Sequence, residues 1–172
     1  DASYLSETKA RSRVAGYHYL SDAPLSPTKP PAPDARAPPL NGAINVPCKI
    51  LRKVLSSAAE SELVGLFHNG KEAVPERITL QELDHPQPPM PMVTDNSTAT
   101  GIANDSVKQK RSKAMDMRFY WIRDRVRQGQ FIVYWKRGTS NQADYFTKHH
   151  PAKHHQLKRP HYLQTPSPAQ NA

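Results

Sequence analysis

Apolar and polar residues follow rhythms that change from segment to segment along this chain, and each rhythm predicts an element. Over residues 1–8 and 13–20, tyrosines, leucines and a valine recur at short spacing about a polar Lys9-Ala10-Arg11-Ser12 turn. That pattern predicts a β-hairpin with Asp1 on its first strand. Residues 43–51 read as a third strand, with Cys48 as a small buried hydrophobe. The period then lengthens: Ala59, Leu63 and the Leu66-Phe67 pair recur at helical spacing behind Ser56 and Ser57, whose hydroxyls can cap a helix over 58–72. Pro75 is expected to interrupt that helix and to open a second, offset piece over 76–83. A strand over 92–94 and a short helix over 99–104 follow. A long helix runs on from the basic 108–113 segment to Gly129, then a strand over 131–135 and a closing helix over 142–148. On the long helix Met115, Phe119, Ile122 and Val126 share one face, with most of the arginines elsewhere. Strands first, then alternating helices and strands, predict a mixed α/β sheet with crossover connections.

Composition changes this picture at two places. Seven of the 17 prolines lie between residues 22 and 42, where missing backbone donors favour extended, unpaired chain, so 22–42 reads as a flexible insertion. The polar, proline-bearing stretch 151–172 reads as a basic, disordered tail, which leaves one domain over 1–150 of ordinary size for a single core. A lone Cys48 excludes an internal disulfide and suits a reducing compartment. No apolar run approaches the roughly 20 residues of a membrane span, and no signal peptide is recognisable. The expectation is an intracellular chain, cytoplasmic or nuclear, without a membrane partner.

Charge divides the chain more sharply than its net value of +9 suggests. Residues 106–172 hold 14 Lys and Arg against 3 Asp and Glu, whereas residues 1–105 hold 10 against 12. A basic half of this kind is the electrostatic footprint of a polyanion partner, although solvated helix faces carry lysine and arginine too.

Against that basic background four acidic sites stand out. In Met92-Val93-Thr94-Asp95-Asn96-Ser97 a short apolar strand delivers a carboxylate at its end, directly before a helix of small residues. Asp1, Glu62 and Asp144 occupy comparable edges of other elements. Capping alone explains any one of them. If all four converged, their mutual repulsion would need cations, and an all-oxygen donor set favours Mg²⁺ or Mn²⁺ over zinc. Two such ions roughly 4 Å apart suit phosphodiester hydrolysis.

Several motifs together make the reading specific. They are Asp-Ala-Ser-Tyr with Arg11-Ser12-Arg13-Val14-Ala15-Gly16-Tyr17, then Ser56-Ser57-Ala58-Ala59-Glu60-Ser61-Glu62-Leu63, then Thr94-Asp95-Asn96 with Thr100-Gly101-Ile102-Ala103. Lys110-Arg111-Ser112-Lys113-Ala114-Met115-Asp116-Met117-Arg118 and Ala143-Asp144-Tyr145-Phe146-Thr147-Lys148 follow. In this order they resemble the ribonuclease H domain that lies C-terminal to the reverse transcriptase in the Pol polyprotein of copia-type LTR retrotransposons.

The resemblance implies a ribonuclease H-like fold, a mixed five-stranded sheet of three antiparallel and then two parallel strands flanked by helices. It implies cleavage of the RNA strand of RNA/DNA hybrids with two Mg²⁺, for which Mn²⁺ may substitute. Carried over by position, Asp1, Glu62, Asp95 and Asp144 are the catalytic metal ligands, with Glu60 as the alternative to Glu62. Lys108, Lys110, Arg111 and Lys113 are expected on phosphates. Asn96 and Ser97 either touch the sugar edge or cap the next helix. The implied partners are the hybrid and the upstream reverse transcriptase. A catalytically inactive nucleic-acid-binding fragment of a decayed element is the alternative reading.

Overall fold

The computed structural model describes residues 1–21, 32, 42–107 and 116–163. Most of the proline-rich 22–42 insertion, the 108–115 segment and residues 164–172 lie outside the described residues.

The opening hairpin forms from β1 (Ala2–Glu7) and β2 (Arg11–Ala15), antiparallel, with Ala2 opposite Val14 and Glu7 opposite Arg11. β2 ends at Ala15 rather than running to residue 20, and Gly16 follows with its N–H on the Pro47 carbonyl at 2.9 Å, close against α1 (Ala58–Glu82). A Cβ at Gly16 would stand 1.7 Å from Asn69 Oδ1, a space no other residue can use. His18–Tyr19 then form β3, paired with β4 (Ala43–Asn45) in a separate two-stranded sheet. The expected third strand is split: Val46-Pro47 interrupts it, since proline has no N–H to give a ladder, and β5 (Cys48–Ile50) resumes against β2. Cys48 is exposed there rather than buried, and its thiol donates to the Phe146 carbonyl at 3.3 Å.

Helix α1 starts where its cap predicts. Ser57 Oγ accepts from the Glu60 amide at 3.1 Å, and the Glu60 carboxylate accepts from the Ser56 amide at 2.6 Å. It does not stop at Pro75, as expected, but continues through it to Glu82. A proline inside a helix costs about 3 kcal/mol, and contacts on both sides offset that cost. Leu63, Val64, Leu66 and Ala73 are buried before it. Beyond it, Glu76 accepts from His18 at 2.7 Å and Asn45 at 2.8 Å, and Arg77 donates to the Gln87 carbonyl at 3.1 Å. Pro75 itself is exposed. Pro75→Ala is therefore expected to stabilise the fold by about 1–3 kcal/mol, read as a higher midpoint in urea with an unchanged slope.

After α1, β6 (Met90–Thr94), α2 (Ser97–Ala103), α3 (Asp116–Arg127) and β7 (Phe131–Trp135) form a parallel crossover unit. Met90 lies opposite Phe131 and Thr94 opposite Trp135. Gly129, at φ +69, supplies the left-handed residue that ends α3. The core is one cluster joining Val14 and Leu51 from the antiparallel sheet, Leu63, Val64 and Leu66 from α1, and Phe119, Ile122, Phe131 and Val133 from the crossover unit.

The single five-stranded sheet expected from the sequence is not formed. Among the described residues there are three sheets: β1-β2-β5 antiparallel, β3-β4 antiparallel and β6-β7 parallel. The two pairing types were anticipated; their joining was not realised. Two local features distinguish the β1 strand, which lies in a different sheet from β6. Ala2 gives its N–H to Glu62 Oε1 at 2.7 Å rather than to a neighbouring strand. Leu5 adopts φ +53 inside β1, and the register slips between Ser3 and Glu7.

The tail expected to be disordered begins with a helix, α5 (Ala152–Tyr162), after α4 (Asp144–Thr147). No residue of α5 is fully buried. Tyr162 holds it down, its ring 4.9 Å from Tyr145 and 5.2 Å from Phe146.

His68 makes stability depend on pH. Burial, aided by Lys49, Arg118 and Lys71, pushes its pKa from 6.5 down to about 4. The folded imidazole stays neutral where the unfolded one takes up a proton, so stability falls as pH drops from 6.5 to about 4. Urea titrations across that window should show a smaller fall for His68→Gln than for the wild type.

Candidate metal centre

Three acids far apart in sequence converge. Asp1, Asp95 and Asp144 each offer a carboxylate oxygen, and these oxygens all lie within 4.8 Å of one another.

Asp1 is held by an extension of the β1–β2 ladder, its α-amino group donating to the Ala15 carbonyl at 3.1 Å and its own carbonyl accepting from the Ala15 amide at 3.0 Å. It is buried, and both carboxylate oxygens have donors. Asn141 Nδ2 donates to Oδ1 at 2.8 Å, and the buried Thr147 hydroxyl donates to Oδ2.

Asp95 follows directly on β6. Lys136 N donates to the Thr94 carbonyl at 3.0 Å, and Trp135 Nε1 donates to the Asp95 carbonyl at 2.7 Å, so the end of the parallel pair fixes the Asp95 backbone. Its side chain packs over Gly138, where a Cβ would stand 2.7 Å from Asp95 Oδ2. Trp135 thus acts by its indole N–H as well as by packing. Asp144 lies in the single turn of α4, where the Lys148 ammonium, four residues on, donates to its carboxylate.

Glu62 stands beside this group without joining it. Buried on α1, it accepts from the Ala2 amide at 2.7 Å and from Thr94 Oγ1 at 2.9 Å. Those two residues adjoin Asp1 and Asp95, so one carboxylate ties together the chain segments that carry two of the three acids. Glu60, two residues earlier, is committed to Ser56 at the helix start.

The remaining residues singled out from the sequence are placed differently. Asn96 caps α2, its Oδ1 accepting from the Ala99 amide at 2.9 Å, and Ser97 is exposed on the first turn. Lys108, Lys110, Arg111 and Lys113 lie outside the described residues. Sequence reasoning missed Asn141, Thr147 and Thr94 as supports for the acids. Thr147 was findable, since it falls three residues after Asp144 on a helix and so shares its face.

Three carboxylates this close repel unless a cation joins them. The donor set is oxygen only, which fits Mg²⁺ or Mn²⁺. Asp1 and Asp95 are presented by strand ends and Asp144 by a helical turn, each fixed by the bonds described above. Such an arrangement could hold a metal ion once the Lys148 ammonium gives up the Asp144 carboxylate.

Among the described residues, no helix is long and apolar enough to cross a membrane. No protein-family model matches the chain, and no solved structure does. In sequence it is similar to the retrovirus-related Pol polyprotein from transposon TNT 1-94 of Nicotiana tabacum, 31% identical over 107 residues, which take in 62% of this chain. The match spans only 8% of that polyprotein's length. The chain is thereby related in sequence to a short part of a transposon Pol polyprotein.

Proposed function

We propose that this chain is a ribonuclease H-type domain that hydrolyses the RNA strand of RNA/DNA hybrids during reverse transcription of a retrotransposon. The observation that carries the reading is the convergence of Asp1, Asp95 and Asp144. The Pol relationship and the basic second half support it.

In this reading Asp1, Asp95 and Asp144 hold Mg²⁺, with Glu62 as the fourth acid of the set. Bound ions would neutralise the scissile phosphate, acidify the attacking water and stabilise the departing 3′-oxygen. The protein's own contribution is placement. Asn141 and Thr147 set the rotamer of Asp1, the β6–β7 end sets Asp95, and Gly138 leaves room for the Asp95 carboxylate. Glu62 either keeps its bonds to Ala2 and Thr94 and acts as a positioning residue, or exchanges them for a metal. The RNA product carries a 5′-phosphate. Hybrid preference comes from minor-groove shape and 2′-hydroxyl contacts. The upstream reverse transcriptase supplies the hybrid, in a cytoplasmic particle or the nucleus.

One observation favours a second reading, an inactive nucleic-acid-binding fragment: the Lys148 ammonium already neutralises Asp144. The test is to incubate the chain with labelled hybrid, duplex RNA and duplex DNA, each with and without Mg²⁺. Cutting confined to hybrid plus Mg²⁺ is the expected result. Hybrid binding without cutting by the wild type supports the inactive fragment instead.

A further inference from the structure

A cleft of about 440 Å³ lies between α4 and α5, lined by Tyr145 and Phe146 on one side and by His155, Arg159 and Tyr162 on the other. Its volume is in the range of about 300–1,000 Å³ typical of ligand sites. Tyr145 directly follows Asp144, so the cleft adjoins the acidic group along the chain.

Flat rings and free cations meet here. Tyr145 is held between Tyr162, near-parallel at 4.9 Å and 26°, and His150, stacked at 5.3 Å, with its hydroxyl on His155 Nδ1 at 2.6 Å, while Phe146 meets Tyr162 edge-on, so Tyr162 is the ring placed to take a base. The Tyr162 hydroxyl donates to the Gln142 carbonyl at 2.8 Å, and burial pushes its pKa up to about 12, so that anchor stays protonated. On α5, His155, Arg159 and Tyr162 are spaced by four and three residues and share one face. Arg159 is exposed and has no ion pair among the described residues. Over 151–163 the chain carries Lys153, Lys158 and Arg159 and no acid at all. An apolar ligand would leave these cations unmatched. A strand whose bases stack and whose phosphates are anionic matches both features.

We propose that this cleft binds a single-stranded segment of nucleic acid, with a base against Tyr162 and phosphates on Arg159 and the neighbouring Lys158. The inference rests on the hydrolase reading for the identity of the strand, unpaired nucleotides flanking the hybrid. Its chemistry rests on the cleft. α5 then serves as a second grip beside the acids.

The test is fluorescence anisotropy on the full chain in EDTA, with labelled oligouridine and oligothymidine of about 12 nucleotides, a length suited to such grooves. Tyr162→Ala is expected to weaken binding about tenfold, one stacked base's worth. Tyr162→Phe should retain it. Arg159→Gln should weaken binding and lower the salt slope by about one. Preference for either oligonucleotide identifies the strand held. A wild type that binds neither, or variants that bind as the wild type does, overturns the proposal. Should Tyr162→Ala fail to fold, the exposed Arg159→Gln decides. Because no cutting occurs in EDTA, the two readings fail separately. Loss of hybrid cutting with variant-sensitive binding sinks the hydrolase, and cutting with variant-insensitive affinity sinks the cleft.

Discussion

Asp95→Asn is expected to lower the proposed Mg²⁺-dependent hybrid-cleavage rate by about 10³-fold or more, equivalent to at least about 4 kcal/mol of lost transition-state stabilisation. The substitution keeps side-chain shape, and the bonds that fix this position run through the backbone, from Trp135 Nε1 to the Asp95 carbonyl and from Lys136 N to the Thr94 carbonyl. The fold should therefore persist. Removing the Asp95 charge relieves its repulsion with Asp1 in the metal-free protein, where Asp144 is paired with Lys148, so thermal stability in EDTA should hold or rise. The expected loss is the stabilisation that Mg²⁺ would give by binding the folded state alone. A cleavage assay and thermal melts with and without Mg²⁺ read both effects. A dead variant that also melts lower in EDTA would mean the substitution damaged the scaffold.

The largest expected stability effect lies at Phe131. Phe131→Ala is expected to cost about 3–5 kcal/mol, a large share of a total that is typically about 5–15 kcal/mol. Phe131 is 1% exposed and opens β7 opposite Met90. Its ring lies 6.4 Å from that of Trp121 on α3, and a Cβ on Gly70 would already stand 3.4 Å from it, so α1 passes directly over the ring. Three elements close on one side chain, and none can collapse far into the space it would leave. Urea unfolding measures the loss. Since β7 carries Trp135, the Asp95 anchor should loosen as well, and cleavage should fall with stability.

Much of this was legible from residue pattern. Ser57 announced the start of α1 and Gly129 the end of α3, because caps are set by a few neighbouring atoms; Asn96, left open between a sugar contact and a cap, caps α2, which starts two residues before the expected position. Asp1, Glu62, Asp95 and Asp144 read from the sequence as one acidic set; the structure brings the three aspartates together and leaves Glu62 beside them. What escaped depends on contacts between distant segments. Pro75 reads as a helix end when only its neighbours are considered. Glu76 and Arg77, bonded to His18, Asn45 and Gln87, hold the helix beyond it. β1 and β6 stay in separate sheets, and the Ala2 amide of β1 goes to Glu62, a partner 60 residues away. Helix α5 has no buried face to betray it, and its attachment comes from Tyr162 meeting Tyr145 and Phe146. Asn141, as a donor to Asp1, is separated from it by nearly the whole chain.

The most direct test of the proposed metal-dependent hydrolysis follows each strand of one hybrid separately. RNA and DNA strands carrying different labels are incubated with the wild type and with Asp95→Asn, in Mg²⁺ and in EDTA, and the ends of the products are mapped. The account predicts that the wild type in Mg²⁺ cuts only the RNA, leaving 5′-phosphate and 3′-hydroxyl ends, and that EDTA or Asp95→Asn leaves both strands whole. Cutting of the RNA by Asp95→Asn at the wild-type rate, or in EDTA, would contradict it.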